Sequence, residues 1–166
     1  MAYIELNNDR PGIGGLLAYR PDTARPLGEL AEVLLRGPSD LSRGERELIA
    51  THVSELNSCN FCASSHAAFA AAQLPADHVR SAKLNALLDI AAAVAESGRA
   101  VTPELVAKAK EEGASDLEVH DTVLIAAAFC MLNRYVDGLG TWAPEDPAVY
   151  ATMAQHFVKG GYAGMV

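Results

Sequence analysis

Residues 41–72 read LSRGERELIATHVSELNSCNFCASSHAAFAAA, and the division of this stretch decides both fold class and chemistry. Ser42, with Glu45 three residues later, is a capping box that starts a helix running through RELIATHVSEL to about Leu56. Leu48, Ile49, Val53 and Leu56 form its apolar stripe, with His52 on the same side. Asn57 and Ser58 are expected to cap a second helix, from near Cys59 through a run of small residues to Leu74 and Pro75. On that helix, positions 59, 62 and 66 follow the i, i+3, i+7 pattern, so two thiols and an imidazole share one face of its first turns.

The same periodicity extends outward. Alternating β-branched runs are missing, whereas alanine-rich segments with apolar spacings of three and four recur, which predicts an all-α fold in one compact helical bundle spanning 1–166. Upstream, residues 1–25 read as an irregular arm, followed after Pro26 by a helix in LGELAEVLLRG that Gly37 and Pro38 stop. Downstream, helices are expected over 81–97, over 103–112 with Thr102 as cap, and over 116–138 behind the SDLE capping box. A last helix covers AVYATMAQHFV, and the tail GGYAGMV is open to fraying or to packing on a neighbour.

Composition narrows the function. Half of the 166 residues are hydrophobic and 20% are charged, the balance of a globular chain rather than a disordered one. A net charge of -8 supplies no basic surface for phosphates, which argues against nucleic acid or an anionic membrane as partner and for a small molecule. MAYIELNNDRPGIGG lacks the basic flank and apolar run of a signal peptide, and no segment is both long and apolar enough to span a bilayer, so a cytoplasmic location is expected. In a reducing compartment, a close cysteine pair is more often redox-active, catalytic or metal-binding than a structural staple.

The Cys59–Cys62 spacing suits reversible oxidation: Cα atoms three apart in a helical turn lie roughly 5 to 6 Å from each other, within disulfide range. Unsatisfied N–H groups at a helix start favour thiolate, and His66, one turn beyond Cys62, is placed to take its proton or steady its anion. Two other uses of these residues stay open at this level. Buried cysteines serve as small hydrophobes. Cys59, Cys62 and His66, with His52 or Glu47, also make a zinc-ligand set, although three anchors on one helix do not gather separate loops as structural zinc does.

The 41–74 segment resembles the core motif of the AhpD-like alkylhydroperoxidases, the peroxidase-related branch of the carboxymuconolactone decarboxylase superfamily. AYRPDTARPL near the front and VHDTVLIAAAFCMLNRYVDGLG near the back extend the resemblance over most of the chain. It implies an all-helical homo-oligomer, trimer or hexamer, acting without metal or organic cofactor as a thiol-dependent hydroperoxidase or disulfide reductase in antioxidant defence. Carried across, Cys62 is the peroxidatic thiol, Cys59 the resolving one, and Glu47 and His66 the proton relay, with an external lipoyl-type or thioredoxin-like dithiol as reductant. The other classes to weigh are a non-enzymatic redox sensor and a decarboxylase-like enzyme using His66 and Glu47.

Phe61 departs from the family, whose well-known peroxidases place a second histidine before the second cysteine; this implies a shorter relay. On the helical wheel Glu47 lies opposite the apolar stripe beside Ala50, Thr51 and Ser54, so it faces either solvent or a closely approaching helix. Cys130 reads as a buried small hydrophobe, His52 as a core-edge residue, and Arg134 with Asp137 as a structural or interface pair. His120, Asn133 and Arg134 fall in the resembling C-terminal helix and are assigned no catalysis, and His78 and His156 carry no partner signal.

Overall fold

A computed structural model describes residues 2–163, and all regular structure among them is helical. Eight α-helices follow in order: α1 Gly12–Tyr19, α2 Pro21–Arg36, α3 Arg43–Leu56, α4 Asn60–Ala71, α5 Ala82–Glu96, α6 Pro103–Glu111, α7 Asp116–Gly138 and α8 Pro147–Gly160, with a 3-10 turn at Gly98–Ala100. Both capping boxes form: Ser42 and Glu45 close the start of α3, and Ser115 and Glu118 the start of α7. Ser81, Thr102 and Asp146 cap three further helices through their side chains, each such cap contributing about 1 kcal/mol.

The arm is the main correction. Residues 12–19 and 21–25 are helical, and Pro21 occupies the first turn of α2, where its missing N–H costs nothing. Pro26 therefore sits inside a helix that begins earlier than the sequence suggested. Asn57 and Ser58 do not cap α4 either. Asn57 ends α3, Ser58 takes a left-handed φ of 58°, and Cys59 itself is the N-cap residue, with α4 stopping at Ala71.

α3 is the central element. One face carries Ile49 and Val53, fully buried against Leu84, Leu87 and Ile90 of α5 and Ile125 and Phe129 of α7. Its other face packs along α4, and α8 lies across α4 in turn. Leu56, expected in the stripe, is half exposed at the end of α3. Among the described residues no helix is long and apolar enough to cross a membrane.

Candidate active site

Small residues on α3 decide the site. Ala50, Thr51 and Ser54 let α4 approach closely, and the face opposite Ile49 is thereby buried with Glu47 in it, 1% exposed. A carboxylate in such a place needs donors on both oxygens. Glu47 has them: Oε2 lies 2.6 Å from His66 Nδ1, and Oε1 accepts a 2.6 Å hydrogen bond from the Tyr162 hydroxyl. Since a carboxylate only accepts, this pairing assigns a proton to His66 Nδ1. The ring is fixed further by Phe129, edge-on at 4.6 Å, and by Tyr162, stacked within 12° of parallel at 6.2 Å.

Cys59 and Cys62 sit beside this pair, both buried and both free thiols. Their hydrogen bond polarises them in opposite senses. Donation from Cys59 lowers the Cys62 pKa against the opposing pull of burial, and the charge of His66 and the Asn133 amide add to the lowering. The same bond, with burial, pushes the Cys59 thiol up. Both effects favour ionisation at Cys62 over Cys59. Leu16, Phe61, Val136 and Tyr150 enclose the two sulfurs and keep bulk water off them.

A cleft of about 380 Å³ opens between the start of α1, α4 and α8. His66 and Tyr162 line it together with Phe61, Phe69, Met153 and Phe157, so its surface is mostly apolar, with Arg10 and Ser65 the other polar side chains on it. Phe61, where a second histidine was noted as missing, fills the space left by Gly12, whose φ is +53° and whose absent side chain admits the ring. The structure thus gives that position to packing instead of proton transfer.

Two residues of the site had no role assigned from the sequence: Asn133, placed only in the resembling C-terminal helix, and Tyr162. Asn133 is 1% exposed, donates to Ser54 Oγ at 3.0 Å, accepts from Asn57 at 2.9 Å and supplies the amide facing Cys62. An isolated polar residue within an apolar helix was the available signal. Tyr162 belongs to the tail read as open to fraying or to packing on a neighbour; residues 164–166 of that tail lie outside the described range, whereas Tyr162 is 4% exposed and packed into the site.

The remaining candidates separate from the thiols. Cys130 is half-buried, with Asn57 Nδ2 at 3.5 Å from its sulfur. Burial lowers the His52 pKa, and its charged neighbours are Glu55, Arg80 and Asp89. His120 is exposed beside Asp121. Arg134 does not pair with Asp137 but donates to the Cys130 carbonyl one turn back on its own helix, a local bond that a long exposed side chain makes without crossing to a partner. Among the described residues, no group of three or more His, Cys, Asp or Glu side chains is arranged to hold a metal ion.

Residues 21–102 match the carboxymuconolactone decarboxylase family. The fold is similar to two crystal structures. One is an uncharacterized peroxidase-related protein from Silicibacter sp. TM1040, at TM-score 0.74 and 23% identity, covering 85% of this chain and 78% of that one. The other, described as an alkylhydroperoxidase AhpD core and peroxidase-related protein from Ralstonia eutropha JMP134, aligns at TM-score 0.74 and 25% identity over 87% of this chain and 81% of its own. No curated protein sequence matches the chain.

Proposed function

The chain is an AhpD-like member of the carboxymuconolactone decarboxylase superfamily, and we propose that it acts as a thiol-dependent hydroperoxidase whose Cys59–Cys62 pair cycles between dithiol and disulfide. The observation that carries this reading is the placement of two buried free thiols, Cys59 at the N-cap of α4 and Cys62 in its first turn, beside the buried Glu47–His66 contact at 2.6 Å.

The chemistry balances with these groups. The Cys62 thiolate attacks the outer oxygen of a hydroperoxide ROOH, the O–O bond breaks, and the departing alkoxide takes a proton from the imidazolium of His66, giving ROH and a Cys62 sulfenic acid. Cys59 then attacks the sulfenic sulfur; water leaves and the disulfide forms. An external dithiol reduces it by two exchange steps and is itself oxidised to a disulfide. The apolar cleft on His66 suits an organic R group better than hydrogen peroxide. Lipoyl-type and thioredoxin-like dithiols are the reductant classes proposed, with the protein working as a cytoplasmic homo-oligomer.

A steady-state assay across several hydroperoxides and dithiols tests the reading. Turnover is expected for the parent and its loss in a Cys59→Ser, Cys62→Ser variant. Activity that survives loss of both thiols would favour acid–base chemistry by Glu47 and His66 instead. Disulfide formation without turnover would favour a redox sensor.

A further inference from the structure

The C-terminal strap after α8 is built into the site. Gly161, at φ +75°, turns the chain back toward α2, and a side chain on it would collide with Glu32 and Arg36. Gly28 on α2 makes the matching space: a Cβ there would come within 2.8 Å of the Tyr162 carbonyl oxygen. Two side chains of α2 then hold the strap. Glu32 accepts the Tyr162 backbone N–H at 2.7 Å, while Arg36 pairs with Glu32 at 2.9 Å and donates to the Phe157 and Val158 carbonyls at 3.2 and 2.9 Å. Thus α2 grips both the end of α8 and the residue that follows it. The result is a phenol 4% exposed, with its hydroxyl on Glu47.

We propose that Tyr162 is a positioning residue for the thiol site, its hydroxyl holding the Glu47 carboxylate against His66 while Glu32 and Arg36 hold Tyr162. Burial first, and then the nearby Glu47 charge, keep the phenol protonated, so it remains a donor throughout the working pH range. Without that donor, Glu47 Oε1 is a buried oxygen with no partner, and the carboxylate is no longer held in its contact with His66 Nδ1. An imidazole that loses this anchor is no longer fixed where its charge favours the Cys62 thiolate. The groups whose charge bears on this chain are Glu32 and Arg36 from α2, Glu47 from α3, Cys59 at the N-cap of α4, Asp137 from α7 and Tyr150 from α8.

The inference rests on Cys62 as the attacking thiol, and its test needs no peroxide turnover, so failure of the peroxidase reading leaves the outcome legible. The pH profile of Cys62 alkylation is measured in a Cys59→Ser, Cys130→Ser background. Tyr162→Phe, which keeps the ring and removes the hydroxyl, is expected to move the profile to higher pH and to add nothing once Glu47→Gln is present. Gly28→Ala, which crowds the strap but keeps the phenol, gives a smaller shift in the same direction. An unchanged Tyr162→Phe profile, or an additive shift in the Glu47→Gln background, overturns the inference. So does a parental profile in Gly28→Ala if Tyr162→Phe does not fold.

Discussion

Glu47 and His66 lie 19 residues apart in sequence and meet at 2.6 Å between the carboxylate and Nδ1, across the buried face shared by α3 and α4. This contact links a buried carboxylate to the imidazole whose charge bears on Cys62. In the proposed relay it fixes the ring at the position where a proton must be taken and returned.

Replacing His66 by alanine is expected to slow Cys62 alkylation several-fold at neutral pH and to shift its pH profile upward. The sign follows from the lowered Cys62 pKa: a cation that favours thiolate is removed, so more hydroxide is needed to reach the same ionised fraction. Glu47→Gln should shift it less, because it acts through the ring. Iodoacetamide kinetics in the Cys59→Ser, Cys130→Ser background make the measurement, and a profile indifferent to His66 would remove the imidazole from the relay.

Mild oxidation should join Cys59 to Cys62 and leave Cys130 free. Cys59 and Cys62 are three residues apart and buried in one cluster, whereas Cys130 lies behind Asn57 and Asn133. Differential thiol labelling with peptide mapping reads this out; a crosslink involving Cys130 contradicts it.

The cleft should set preference among oxidants. Val149 lines it and is 39% exposed, so Val149→Asp alters the wall without opening the core. KM for an aromatic hydroperoxide is expected to rise roughly tenfold while hydrogen peroxide is little affected, since a single apolar contact in such a pocket discriminates on that scale. Equal effects on both oxidants would show that the substrate enters elsewhere.

Along α7, Leu117, Leu124 and Met131 are 51%, 39% and 46% exposed at intervals of seven residues, an apolar row on the outer side of the helix. Covering this row by another copy of the chain is the expected reason for it. Sedimentation at micromolar concentration should show a multi-subunit species and Leu124→Glu a smaller one; a parent that sediments as a monomer defeats the expectation.

Glu118 ties α7 to α5 through Lys83 at 2.6 Å while closing its own capping box. Burial raises its pKa, but the Lys83 and Ser115 hydrogen bonds outweigh it and leave the carboxyl below its usual range. A depressed folded-state pKa contributes stability above the unfolded pKa that disappears as pH falls through the folded one. Glu118→Gln should therefore cost about 1 to 2 kcal/mol at neutral pH. Denaturant melts should show the difference closing on acidification through the carboxylate range; a gap independent of pH would assign the cost to packing.

What was legible in the sequence is local. Capping boxes at Ser42 and Ser115, Thr102 before Pro103 and the 59, 62, 66 spacing act within a turn or two of chain, and each appears where those residues require it. The start of α2 was misread because Pro26 breaks a helix interior on average, yet Pro21 had already begun one. Glu47 was undecided for a different reason. A helical wheel says which residues share a face, not what packs on it, and only the approach of α4 over Ala50, Thr51 and Ser54 turned that face inward. Tyr162 and Asn133 reach the site from 115 residues beyond Glu47 and 79 beyond Ser54, distances over which no periodicity carries information. The sequence by itself determined the helices from α3 onward and the Cys62–His66 spacing, because backbone hydrogen bonding and i, i+4 spacing are short-range. Tertiary structure alone decided that Glu47, named through the resemblance, faces inward and which phenol and amide join it, because burial is a property of the surfaces that meet and not of the residue that is covered.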